Sequence, residues 1–184
     1  MDGSRLEPET TLRTRGLAFV RYGEQAAATR QRLLQFRRFF QAEDIDLSVH
    51  ELFSSTELRR IYATGERSLP GVIRAYAERL RRIRQADGAD VLWVLREVFP
   101  YLPGWAEQVV LRSGVPMIYD FDDAVFHQYD LHPNPLVRRL LGRKFEPLLR
   151  GACLAICGNA YLRGLCCPIL FADGDRADGR RYWR

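Results

Sequence analysis

Short apolar runs alternate along this chain with longer amphipathic stretches. Leu17–Val20, Ile45–Val49, Asp90–Leu95, Val115–Tyr119 and Cys153–Cys157 are rich in aliphatic and aromatic residues and predict strands. Between them, 25–40, 69–86, 102–113 and 135–150 predict helices. The first helix carries Leu33, Leu34, Phe36, Phe39 and Phe40 at core-facing spacings, and the second carries Val72, Ile73, Tyr76, Leu80 and Ile83 in the same way. Strands that are apolar on both faces and separated by helices imply a mainly parallel sheet covered on both sides, because each crossover must traverse a sheet face. The expected fold class is therefore α/β, a Rossmann-like parallel sheet with helices on both faces. No internal repeat interrupts this pattern.

The pattern divides the chain in three. Residues 1–14 are polar, contain Pro8 and show no periodicity, so they read as a flexible leader. Residues 15–163 read as one domain, which suits a chain of 184 residues with 47% hydrophobic content. Residues 164–184, from Gly164 through the Arg/Asp/Gly string ending at Arg181, read as an irregular tail with neither helical nor strand periodicity. That tail looks like a shifted or prematurely ended reading frame.

Charge changes the picture little. The formal net charge is +5, and Lys144 is the sole lysine. The arginines sit among acids at helical spacings, as in Glu78–Arg84, which reads as solvated helix faces and gives no expectation of a nucleic-acid partner. The four cysteines, Cys153, Cys157, Cys166 and Cys167, have no histidine at a zinc-like spacing, and Cys153 and Cys157 read as small buried residues of a strand. No apolar run reaches the ~18 residues that span a bilayer, and the start lacks a signal-peptide core. A reducing cytoplasm is expected, with any membrane contact peripheral to the inner face.

In an open parallel sheet, ligands bind beyond the carboxyl ends of the strands. The residues there are Arg21–Ala26 after the first strand, Arg96 and Glu97 after the third, Asp120–Asp123 after the fourth, and Gly158 and Asn159 after the fifth. Gly23 could admit a phosphate or sugar to the backbone, or could be a plain turn, and a single glycine falls short of a dinucleotide fingerprint. Tyr119-Asp-Phe-Asp-Asp123 is the sharpest signal, because three carboxylates in four residues are costly to gather without compensation. Several readings stand open for it. One of these aspartates could cap a following helix. The group could be a D-x-D site for a cation and a sugar-nucleotide diphosphate. It could be a haloacid-dehalogenase-like nucleophile loop with Asp120 attacking phosphorus and Asp122 as acid/base, although Ala124 stands where Thr or Val belongs and the motif follows the fourth strand. Or it could line a cleft for hydroxyl-bearing substrates. His127 and His132 follow closely enough to raise a mixed Asp/His metal site, against the simpler reading of turn residues.

The order of these features resembles the N-terminal domain of glycosyltransferase family 4 and related group 1 transferases. The matching segments are Tyr22–Arg32, Asp44–Val49, Ala89–Glu97, Gly114–Asp123, Asn134–Pro135 and Cys157–Leu162, covering roughly 15–163. The resemblance implies one half of a GT-B architecture, with this half receiving a carbohydrate or lipid-linked acceptor. The nucleotide-sugar donor would be gripped by a second domain, so it is a partner only of an intact form. The implied activity is hexosyl transfer, usually with retention, needing no metal or other cofactor. The resemblance places Gly23, Glu24, Arg30, Arg96, Glu97 and Asn159 on the cleft side and makes Asp120, Asp122 and Asp123 candidates for catalysis. A chain that stops before the donor half is expected to be inactive alone. The rival class is a non-catalytic binding module that holds a partner subunit or an anionic surface.

Overall fold

The computed structural model describes residues 13–65 and 68–171. Five strands, β1 (Thr14–Tyr22), β2 (Ile45–Phe53), β3 (Val91–Leu95), β4 (Met117–Phe121) and β5 (Leu154–Cys157), form one sheet in the order β2-β1-β3-β4-β5. Every pairing is parallel, with Leu17 opposite Leu92 and Val94 opposite Tyr119. The fold is the expected α/β, Rossmann-like one. Because the chain steps outward from β1 to β2 and then returns to the other side of β1, the order reverses between β1 and β3. Such a reversal opens a crevice at the carboxyl ends of the two strands.

Side chains alternate across the sheet with the strand period of two. On one face Ala18, Val20 and Leu95 pack with Leu33, which ends α1 (Ala27–Arg32). On the other face Phe19, Leu92, Val94, Met117 and Tyr119 join a larger core. That core takes Ile83 from α4 (Leu69–Arg84), Ala106 from α5 (Gly104–Glu107) and Leu148 from α8 (Glu146–Gly151). The intervening helices are α2 (Arg37–Ala42), α3 (Ser55–Thr64), α6 (His127–Asp130), α7 (Pro135–Leu141) and, after β5, α9 (Ala160–Phe171). Among the described residues, no helix is long and apolar enough to cross a membrane.

Several expectations are corrected. A 3-10 turn at Leu34–Phe36 breaks the first predicted helix and rotates its second half, leaving Phe36 and Phe39 exposed. Ile73 is also exposed, whereas Arg79 is buried and donates to the carbonyls of Val20 and His50 while its guanidinium lies over Phe19. The predicted 135–150 helix is two helices. Helix α9 runs on through Gly164 to Phe171, so the irregular reading fails for that stretch; 172–184, like 1–12, lies outside the described residues. Cys153 is exposed because β5 is the sheet's edge and leaves its start uncovered. The helix at 55–64 was not predicted.

One feature of the larger core positions everything above it. Lys144, fully buried between α7 and α8, places its ammonium 2.9 Å from Glu97 and 3.0 Å from Glu107, both themselves buried. Arg21, at the end of β1, pairs with the other oxygen of Glu97 at 3.1 Å, so two cations face two anions. Burial pushes the Glu107 carboxyl up, against the pull of Lys144 and the Val98 amide. Removing one member leaves an uncompensated buried charge, which costs about 3–5 kcal/mol. Lys144→Ala is therefore expected to lose about that much stability in urea unfolding; a loss under 1 kcal/mol would contradict this account of the network.

Candidate functional site

The carboxyl edge of the sheet gathers two guanidinium–carboxylate pairs at the ends of β3 and β4. Asp120 points to the α1 face, where Arg32 Nη2 donates to its Oδ1 at 2.6 Å and Nε at 3.1 Å; Trp93 Nε1 donates to Oδ2 at 3.2 Å. One residue past β4, Asp122 accepts from Arg96 Nε at 2.8 Å and Nη2 at 3.0 Å, a two-pronged match of fork to carboxylate. Asp123, largely exposed, lies 3.5 Å from the same Arg96 Nη2. Each carboxylate of the cluster thus has a guanidinium, which resolves the cost of crowding them.

Backbone geometry builds the same arrangement. Arg96 adopts φ +70°, a left-handed conformation uncommon for a side-chain-bearing residue, which turns the chain out of β3. Its N–H donates to the Asp120 carbonyl and its own carbonyl accepts from the Tyr119 hydroxyl, so this turn is pinned to β4 on both sides. Gly158, after β5, lies so close to the 122 loop that a Cβ there would sit 2.5 Å from the Asp122 carbonyl oxygen. Only glycine permits that approach.

The remaining expected site residues separate from this pair. Glu97 is in the buried ion network and not in a cleft. Asn159 caps α9, its Oδ1 accepting from the Leu162 N–H at 2.9 Å. Arg30 folds back onto the carbonyls of Glu24 and Gln25. Glu24, Arg30 and Glu51 line an open cleft of about 670 Å³ beyond β1 and β2. Gly23 faces the Glu51 carboxylate, which occupies the space a Cβ would need. Burial pushes the Glu51 carboxyl up, opposed by the Gly23 N–H.

None of the three aspartates caps α6, whose first turn has no side-chain cap. Asp120 is fully buried with both oxygens held, so it presents no nucleophile to a phosphoryl group. His127 engages Asp130 through Nδ1 and the Tyr161 hydroxyl through Nε2, each at 2.9 Å, and His132 accepts from the Asn134 N–H. Among the described residues, no group of three or more His, Cys, Asp or Glu side chains is placed to hold a metal ion. Trp93 and Tyr101 are the residues that sequence reasoning did not single out, and Arg21 and Arg32 figure there only as part of the loop and helix after the first strand. The Arg-rich start of the first helix was visible, but its pairing with Asp120 across 88 positions was not. No protein-family model matches the chain, and no curated protein sequence matches it.

The two paired aspartates differ in charge preference. Burial pushes the Asp120 carboxyl up, and the bonds from Arg32 and Trp93 do not offset it. Asp122 is less buried; burial again raises it, but the hydrogen bonds and charge of Arg96 outweigh burial and hold it below the usual carboxylate range. Side-chain carboxyl NMR is expected to show Asp120 titrating above, and Asp122 below, the ordinary value near 3.9. A depressed pKa contributes stability that is present at neutral pH and is lost as pH falls through the folded value. Asp122→Asn is accordingly expected to cost about 1 kcal/mol at pH 7 and almost nothing below the carboxylate range; an effect independent of pH would contradict the pairing.

Proposed function

We propose that this domain receives the acceptor of a GT-B-type glycosyl transfer, and that the acceptor is a hydroxyl-rich carbohydrate, free or lipid-linked. The observation that supports this reading is the partly exposed Arg96–Asp122 pair at the mouth of the crevice. A sugar hydroxyl both donates and accepts, and a guanidinium beside a carboxylate offers it an acceptor and a donor within one hydroxyl's reach. Adjacent ring hydroxyls can bridge such a pair, which fixes the ring's orientation. Arg32 and Arg96 each keep one guanidinium nitrogen without a partner among the described residues.

Charge argues against a diphosphate at the same place. Arg21, Arg32 and Arg96 face Glu97, Asp120, Asp122 and Asp123, an excess of one negative charge. A GT-B enzyme uses two Rossmann-like units, and the described residues form one, so this reading gives the unit acceptor binding and orientation and assigns the donor elsewhere. The bonds to Asp120 and Tyr119 of β4 that pin the Arg96 backbone serve that role, because orientation of a reacting hydroxyl depends on unyielding donors.

One observation favours the rival reading of an anionic-surface module. Helix α7 buries none of its residues and exposes Leu136 and Leu140 beside Arg138 and Arg139. Saturation-transfer NMR on the 184-residue chain separates the two. Methyl glucopyranoside is expected to bind weakly, at least tenfold better to the native chain than to Arg96→Asn, whose replacement tolerates the left-handed backbone. Uridine diphosphate is expected not to bind at the same concentration. Capture on phosphatidylglycerol vesicles without saccharide binding would overturn the acceptor reading.

A further inference from the structure

The loop between β3 and α5 has six of its backbone polar groups satisfied by side chains from elsewhere. The Arg96 carbonyl accepts from Tyr119, the amides of Val98 and Phe99 donate to Glu107, and the Phe99 carbonyl accepts from Lys144. The Pro100 carbonyl accepts from the Tyr76 hydroxyl, and the Tyr101 amide donates to the Tyr129 hydroxyl, which itself donates to Glu97. Loops usually leave such groups to water. Here four elements and the connection between α7 and α8 converge to fix one short segment.

What that segment presents is Tyr101. Its backbone is held at φ +61° and the residue is 52% exposed, although its ring meets Tyr129 edge-on at 6.1 Å and its hydroxyl accepts from Arg21 Nη2 at 3.4 Å. Glycine would occupy this conformation without strain. A tyrosine kept half in water on a left-handed backbone is costly to folding, and such costs gather where a side chain serves a ligand. The position agrees, because the ring lies 5.6 Å from the guanidinium of Arg21, at the end of β1, and β1 and β3 flank the crevice where the strand order reverses. Arg21 also lies 5.4 Å from the ring of Tyr22, and Glu97 fixes it from below.

We propose that Tyr101, with Arg21 at its edge, is the stacking platform for a pyranose ring of the acceptor. This rests on the acceptor-binding reading and adds the residue that recognises the ring. The axial C–H bonds of a pyranose form an apolar, weakly positive face that suits the negative face of an aromatic ring. Arg21, held by Glu97 and bonded to the Tyr101 hydroxyl, fixes the place of the aromatic ring. A linear polyol has the hydroxyls without the flat face and gains nothing from the platform.

The test uses the full 184-residue chain with methyl glucopyranoside as probe and glycerol as the ringless control. Tyr101→Gly is expected to weaken glucopyranoside binding about five- to tenfold, the range of one aromatic contact, while leaving the melting temperature unchanged or raised. Tyr101→Phe is expected to bind within about twofold of the native chain, since the ring is what stacks. Native affinity in Tyr101→Gly, with loss in Arg96→Asn, overturns the platform and leaves the acceptor reading standing. Loss of binding together with a lowered melting temperature also overturns it, by making Tyr101 a support of the fold. Glycerol competing as well as the glycoside overturns ring recognition, and a native chain that binds no glycoside overturns both proposals.

Discussion

A single ammonium, that of Lys144, is the constraint around which the crevice is arranged. Two buried glutamates cannot coexist in a protein core without compensation, and Lys144 lies within 3.0 Å of both. Arg21 completes the balance from the end of β1. Because these four groups come from β1, the β3–α5 loop, α5 and the segment before α8, charge neutrality can be met only when all four elements are in register. The network therefore ties the crevice rim to the core. Glu107 and Lys144 then supply the bonds that fix the loop carrying Arg96 and Tyr101.

The rim above is built by the same logic. Asp120 has Arg32 and Trp93, Asp122 has Arg96, and the two left-handed residues of the loop are held by bonds from β4 and α6. Ion pairs that are partly wet contribute little to stability, so their arrangement along one edge is better explained by what they face than by what they hold. Two guanidinium–carboxylate pairs stand there side by side at the ends of β3 and β4, each offering donors beside acceptors. That combination is the physical content of the acceptor reading.

Much of the fold was legible from the sequence because it depends on periodicity. The five strands and the sheet class follow from apolar runs such as Val91–Leu95, whose residues are buried or half-buried on both faces. Local breaks were less legible: the 3-10 turn at Leu34–Phe36 rotates a helix without any proline or glycine to announce it. Helix α3 did announce itself. Ser54 and Glu57 form a reciprocal capping box, the amide of Ser54 donating to Glu57 and the Glu57 amide to the Ser54 hydroxyl, and the S-x-x-E spacing was there to be read. Within the site, Arg96 and Asp122 were placed correctly at strand ends by the sheet rule alone. Glu97 was not, because a glutamate after a strand looks the same whether it faces water or a buried lysine 47 positions later. The clue was compositional: one lysine in a chain that otherwise uses arginine, sited amid Leu141, Phe145 and Leu148.

The central claim is that the crevice between the ends of β1 and β3, extended by β4, is where a saccharide binds. Amide chemical-shift mapping of the 184-residue chain during titration with a methyl glycoside tests it most directly. The account predicts that the shifted amides cluster at Arg21–Gly23, Arg96–Tyr101, Asp122–Asp123 and Gly158, with α7 and the amino ends of the strands unmoved. Shifts confined to α7, to the cleft beside Glu24 and Glu51, or scattered over the surface would contradict it.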